Sequence, residues 1–373
     1  MNVMEFSMEK RLLLFSGYNP RAVLAFLRTI STYDTISVSI IARDENDEIL
    51  DTPYRKYVDY VRKKNPLDKD SISCIYKILK ERYSFDKLII VPSTEYINRF
   101  CLDNRQWLEN IGIYIPLVEK NIYEMISDKK SFGKVCKKRG LQVPEEFNFP
   151  KVFTKKFVAK PKKYRGDNGE IYTPVIILNV TDYEEFCKKY SIDDFFYQEY
   201  VEGISLYLLY YFSKDGEVWS LSQENLMQQP GGKSILWASS SLFHQEEISN
   251  QYIELLKGLH FYGLIMIELR KNNDKYYMIE ANPRLWGPSQ LFVDANYNLF
   301  KPFLRDLGYE YVNIDDKIPI SREYFWYDGY IKSENKEVYY SGADKRLLER
   351  LVELKNIDVY NRKDTAELWK KMK

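Results

Sequence analysis

The stretch Tyr276-Tyr277-Met278-Ile279-Glu280-Ala281-Asn282-Pro283-Arg284 decides how this chain is read. With the segment before it, Gly263-Leu264-Ile265-Met266-Ile267-Glu268-Leu269-Arg270, it has the form of a β-hairpin. Two apolar arms rich in Ile and Tyr flank the polar joint Lys271-Asn272-Asn273-Asp274-Lys275. A hairpin symmetric about Asp274 sets Glu268 directly opposite Glu280. Side chains alternate along a strand, so Asn282 shares a face with Glu280. Facing Cβ atoms in such a pair lie roughly 5 Å apart, and like charges that close destabilise a bare sheet, so the pattern predicts a positive group between them. Two carboxylates and an amide oxygen make an oxygen-only donor set, suited to magnesium that also holds substrate phosphates. Arg284 follows at once, a fixed charge suited to bidentate contact with phosphate or carboxylate. The same spacing also suits a surface hairpin with solvated acids, since a slip of one residue turns one glutamate to the other face.

Other metals fit poorly. The chain has only His244 and His260, and Cys74, Cys101, Cys136 and Cys187 show no paired ligand spacing. With 373 residues, two or three domains with sizeable cores are expected. A hydrophobic fraction of 45% and a charged fraction of 29% are those of a globular protein. The net charge of +1, with no basic half or tail, argues against a nucleic-acid binder. Scattered cysteines, a polar start over Met1 to Lys10 and no apolar run of about 20 residues point to a cytoplasmic protein without a membrane span.

Along the first 120 residues strands alternate with helices. Leu12 to Ser16, Thr35 to Ala42 and Leu88 to Val91 read as strands. Arg21 to Ile30 and Ser71 to Tyr83 read as helices, and another opens after Pro92 with a cap at Ser93. That order implies a parallel sheet, which binds ligands at the carboxyl ends of its strands, where Gly17 and Glu95 sit. Asn121 to Gly140 is helical in pattern and holds Lys129. Lys156 to Pro161 is a strand, followed by a loop with Lys162, Lys163, Arg165, Gly166 and Gly169, whose glycines would let backbone N–H groups wrap a phosphate. Phe195 to Val201 leads into a hinge at Glu202-Gly203. Ser205 to Phe212 and Glu217 to Ser222 form a hairpin. Gln223 to Phe243 is polar and without clear pattern around Pro230-Gly231-Gly232-Lys233-Ser234, the form of a mobile active-site loop. Glu246 to His260 and Gly287 to Leu307 read as helices. The tail from Asn313 carries strand-like segments and a helix near Asp344 to Leu354, with no chemistry assigned to it.

These elements together resemble the ATP-grasp superfamily, in its carboxylate–amine ligase and carbamoyl-phosphate-synthetase-like branch. The resemblance covers roughly Met125 to Leu307 and, less specifically, the N-terminal sheet. Glu280-Ala281-Asn282-Pro283-Arg284-Leu285-Trp286-Gly287 is close to the family's E-x-N-P-R-x-W-G. Asp128-Lys129, Lys160-Pro161 and Gln198-Glu199-Tyr200-Val201-Glu202-Gly203 are similar to its helix start, lysine strand and hinge. The fold so implied is mixed α/β and α+β. A Rossmann-like domain over 1–120 precedes two α+β lobes, 121–203 and 204–310, that enclose ATP, and 311–373 is an extension.

By the same resemblance Lys129 and Lys160 would bind phosphates, with Arg165, Gly166 and Gly169 in the phosphate loop. Glu199, Tyr200 and Val201 would form the adenine hinge and Glu202 would reach the ribose. Glu268, Glu280 and Asn282 would hold Mg2+, with Mn2+ as an alternative. Arg284, Lys233 and Arg270 would act on the reacting groups. The implied activity is an ADP-forming ligase that makes an amide from a carboxylate and an amine through an acyl-phosphate. Amino acids or a peptide are candidate substrates, and a homodimer is an open assembly state. The relatives' phosphate loop runs K-P-x-x-G-x-G-S-x-G, whereas here Tyr164 replaces the first Gly and Asp167 the Ser. A carboxylate beside triphosphate is unfavourable unless a neighbouring cation neutralises it. Two alternatives therefore stand beside the ligase: a bicarbonate-activating enzyme of carbamoyl-phosphate-synthetase type, and an idle nucleotide-binding module.

Overall fold

The computed structural model describes residues 9–63, 66–163, 172–314 and 318–372. The candidate phosphate-loop residues Arg165, Gly166 and Gly169 lie outside the described residues. No helix among the described residues is long and apolar enough to cross a membrane.

The first sheet is parallel: β1 (Lys10–Phe15), β2 (Ser37–Ala42), β3 (Val58–Val61), β4 (Lys87–Ile90) and β5 (Ile113–Tyr114) in the order β3-β2-β1-β4-β5. The strand order reverses beside β1, so the carboxyl ends of β1 and β4 flank a crevice of the kind that takes ligands. The helix Glu95–Asp103 starts there, and its cap is Thr94 rather than Ser93: the Thr94 hydroxyl accepts from the Ile97 N–H at 3.2 Å.

The run expected as one helix from Asn121 to Gly140 is two, Lys120–Ser127 and Lys129–Lys138. Asp128 breaks it, because its carboxylate accepts from the Ser131 N–H at 2.7 Å and caps the second helix. A small antiparallel sheet follows. It is built from β6 (Glu146–Phe147), β7 (Phe157–Pro161), β8 (Val175–Ile177) and β9 (Phe195–Glu199), in the order β6-β9-β7-β8.

The third sheet carries the site. Its strands are β10 (Ile204–Phe212), β11 (Val218–Gln228), β12 (Ile235–Ser241), β13 (Gly263–Asn272), β14 (Lys275–Asn282), β15 (Glu323–Phe325) and β16 (Val338–Tyr339). They lie in the order β14-β13-β10-β11-β12-β15, with β16 on β11. Here the expectation for Gln223 to Phe243 fails. β11 continues to Gln228, β12 returns from Ile235, and Leu226, Met227, Leu236 and Trp237 are buried between them and the tail. Only the tip, around Pro230–Gly232, is a turn. The expected helix from Gly287 to Leu307 is broken into Gly287–Ser289, Gln290–Asp294 and Phe300–Asp306. The tail is part of the sheet, through β15 on β12 and β16 on β11.

One face of this sheet is apolar. Leu206, Leu208, Ile267, Leu269 and Ala281 pack in one core with Tyr123, Ile126 and Phe132 of the two helices that meet at Asp128. Alternation leaves Ser205, Tyr207, Glu268, Arg270 and Glu280 on the opposite face.

Candidate active site

The hairpin β13–β14 pairs Glu268 with Glu280, as expected, but not by symmetry about Asp274. Asn272 pairs with Lys275, so the turn is the two residues Asn273-Asp274, with Asn273 at φ 51°. That register alone would oppose Glu268 to Ile279. A bulge between Leu269 and Glu268 leaves Ile279 over and restores the pairing of the two acids. The bulge has a use: the Lys160 ammonium, from β7 of the small sheet, donates to the Ile279 carbonyl at 3.0 Å.

The positive groups demanded by the facing acids are present. Lys129, at the start of its helix, pairs with Glu280 at 2.8 Å, and Arg270 pairs with Glu268 at 3.2 Å. Asn282 Nδ2 donates to Glu280 Oε1 at 2.7 Å, while Arg284 Nη2 donates to Asn282 Oδ1 at 3.2 Å. Burial pulls the Glu280 carboxyl up, but Lys129, Asn282 and Arg284 together hold it well below its usual range. Burial pushes Glu268 up, Arg270 offsets part of this, and Glu280 adds to it. Burial and the neighbouring Lys129 push the Lys160 ammonium down to about 7, against the pull of Glu280 and Glu268. The site thus holds cations in excess of what its own acids balance, the condition for receiving a polyanion.

No group of three His, Cys, Asp or Glu side chains placed to hold a metal occurs among the described residues. The oxygen set of Glu268, Glu280 and Asn282 is therefore partial. It fits an ion that takes most of its shell from phosphates and water, as magnesium does.

The turn after β14 docks on the crevice of the parallel sheet. Asn19 Nδ2 donates to the Leu285 carbonyl at 3.1 Å, and the Leu285 N–H donates to the Pro92 carbonyl at 3.1 Å. Between them opens a cavity of about 1210 Å³, with Glu280, Asn282, Arg284 and Lys233 on its wall. Tyr18 and Glu95 line it from the carboxyl ends of β1 and β4, and Trp326, Asp328 and Lys332 from the tail. The tail residues had no signal in the sequence. A smaller cleft, about 450 Å³, is lined by Tyr200, Val201 and Glu202 of the hinge and by Val338 to Ser341 of the tail. Glu199 does not line it: its N–H donates to the Glu145 carbonyl at 3.0 Å, and its carboxylate accepts from the Glu145 N–H at 3.2 Å. Glu202 is exposed and pairs with Lys156 at 2.6 Å.

Neither a family model nor a curated protein matches the chain. Solved structures do. The biotin carboxylase domain of Hydrogenobacter thermophilus 2-oxoglutarate carboxylase, in complex with MgADP, ADP and bicarbonate, matches with a TM-score of 0.61 at 16% identity, over 85% of this chain and 74% of that one. L-amino acid ligase from Bacillus licheniformis matches with a TM-score of 0.58 at 13% identity, over 85% and 79%. N5-carboxyaminoimidazole ribonucleotide synthetase from Thermotoga maritima matches with a TM-score of 0.52 at 17% identity, over 84% and 79%. At these identities the likeness is one of fold.

Proposed function

The chain has the ATP-grasp fold, and from that premise we propose that it is an ATP-dependent ligase joining a carboxylate to an amine. One observation carries the reading. Two facing glutamates, an asparagine and the cations Lys129, Lys160 and Arg284 converge beside a cavity of about 1210 Å³. That volume suits organic substrates and is far larger than bicarbonate needs.

In the reaction a carboxylate oxygen attacks the γ-phosphorus of ATP. A P–O bond forms as the bond to the bridging oxygen breaks, and ADP leaves. The amine nitrogen then attacks the acyl carbon, a C–N bond forms, the C–O bond to phosphate breaks, and the amine gives up a proton. Lys129 and Lys160 spread the charge of the nucleotide phosphates. Arg284 and Lys233, on the cavity wall, meet the negative charge of the carboxylate and of the phosphoryl group in transfer. Glu268, Glu280 and Asn282 would hold Mg2+, or Mn2+, which supplies neutralisation of the phosphates. The hinge residues Tyr200 to Glu202 would take the nucleoside end. The substrates are small molecules, amino acids or a peptide among them. Free thiols throughout the described residues accord with a cytoplasmic setting.

A pairwise screen of acids and amines for ADP release, with mass spectrometry of the product, tests the reading. An amide with stoichiometric ADP and phosphate supports it. ADP release driven by bicarbonate alone would favour the carboxylase alternative. Nucleotide binding with no release for any pair would favour the idle module.

A further inference from the structure

The tail, which carries no recognisable motif, enters the polar face of the third sheet. β16 pairs with the end of β11 through Tyr339 opposite Met227 and Val338 opposite Gln228. The Tyr340 N–H donates to the Leu226 carbonyl at 2.9 Å, so the backbone at this point is fixed. The Tyr340 hydroxyl accepts from Arg270 Nη2 at 2.9 Å and donates to Gln228 Oε1 at 2.8 Å. The Arg270 guanidinium also lies over the Tyr340 ring, 4.5 Å from its centre. Arg270 is thus held by the ring and the hydroxyl of one residue and by Glu268 on its own strand.

Its other terminal nitrogen is different. Arg270 Nη1 is buried and has no hydrogen-bond partner among the described residues. A buried donor of a charged group without an acceptor is costly, which points to an acceptor supplied by a ligand. The place of Arg270 along β13 says which part of the ligand. It lies two residues, roughly 7 Å of strand, from Glu268. In the other direction it adjoins Lys271, against whose carbonyl the hinge residue Gly203 packs so closely that a Cβ there would sit 2.1 Å away. Arg270 is therefore between the hinge that would take the nucleoside and the acids that would hold the metal, and not on the cavity wall with Arg284 and Lys233, beside which the sequence sets it.

We propose that Tyr340 is a positioning residue: it orients Arg270 so that Nη1 donates to the phosphate next to the ribose of a bound adenine nucleotide. This rests on the nucleotide reading above and adds to it that the C-terminal segment is a working part of the nucleotide site.

Tyr340→Phe removes the hydroxyl while keeping the ring under the guanidinium and the pairing of β16. Calorimetric titration of wild type and variant with adenosine, AMP and ADP, with thermal melting as a fold control, reads the effect. The expected result is AMP and ADP bound about tenfold more weakly by the variant, adenosine unchanged, and a melting temperature close to wild type. Arg270→Lys, tested in parallel, leaves the tail intact and should show the same selective loss. Equal weakening of adenosine and AMP would reduce the tail to a passive wall and overturn the proposal. Unchanged AMP and ADP affinity in both variants would overturn it as well. A wild-type protein that binds neither AMP nor ADP would instead defeat the nucleotide reading itself, a result distinct from a wild type that binds and variants that are indifferent.

Discussion

Lys160 makes the proposed binding of a nucleotide measurable as protons. Its ammonium is buried, close to Lys129, and its pKa is pushed down to about 7, against an ordinary value of about 10.4. At pH 8 about nine in ten Lys160 side chains are then neutral in the empty protein. A nucleotide bound as proposed would bring negative charge to that nitrogen and restore its proton. Binding at pH 8 should therefore take up about 0.9 proton, falling to about 0.1 at pH 6. The sign follows: above about pH 7 the complex holds more protons than the free protein, so nucleotide affinity falls as pH rises, approaching tenfold per unit from this group alone. Apo stability runs the other way. The folded pKa is depressed, so between about 7 and 10.4 the unfolded chain binds the proton more readily, and the fold gains stability as pH rises through that window. The assay is calorimetric titration with ADP at pH 8 in buffers of different ionisation enthalpy, for wild type and Lys160→Met. The difference in proton uptake between the two isolates Lys160 from other titrating groups. Equal uptake by wild type and variant, with both binding ADP, would refute the placement of this ammonium against phosphate.

Three further outcomes follow from the same geometry. Glu280→Gln, which removes the charge paired with Lys129 at 2.8 Å and one metal-type donor, should lower magnesium-dependent turnover at least about a hundredfold with the fold intact; turnover equal to wild type at matched magnesium would remove the metal assignment. Gly203→Ala should open the hinge, because φ there is +127° and the new Cβ would meet the Lys271 carbonyl at 2.1 Å; a loss of about 1–3 kcal/mol in denaturant unfolding, with weaker nucleotide binding, is expected, and wild-type stability would contradict it. Arg21 bonds Ser234 at 2.9 Å and Tyr324 at 2.7 Å and lies 3.7 Å over the Trp326 ring, so Arg21→Met should free the hairpin tip and hasten tryptic cleavage after Lys233, whereas an unchanged cleavage rate would mean the tip is held by β11 and β12 alone.

Much of the candidate site's geometry was legible because it lies on one local hairpin. The opposition of Glu268 and Glu280 needs only strand periodicity and a short turn, and both are local. Even so the pairing arises through the bulge at Ile279 rather than by symmetry, a detail no count of residues could give. The crevice at the ends of β1 and β4 was legible for a similar reason, since alternating strands and helices restrict the topology. The contribution of the tail was not. Arg270, Gln228 and Tyr340 meet across sequence separations of 42 and 70 residues, and nothing in a single sequence reports that contact.

The misreading of Gln223 to Phe243 is more informative. It read as a loop because its polar residues interrupt any apolar alternation. Yet Gln223, Asn225 and Gln228 are buried, on a strand whose other side chains Leu226 and Met227 enter a separate core. Gln223 opposes Tyr207, which opposes Glu268, so the polar residues continue the row of the candidate active site across the sheet. Gln223 Nε2 donates to Asn225 Oδ1 at 2.7 Å, and Asn225 Nδ2 to Ser205 at 3.0 Å, but Gln223 Oε1 has no partner among the described residues. A sheet with an ordinary core would place apolar side chains here, because burying amides costs stability unless their bonds are made. The polarity that disguises this strand as a loop thus belongs to a buried row of amides that continues the row of Tyr207 and Glu268 across the sheet, with Gln223 Oε1 left without a partner among the described residues.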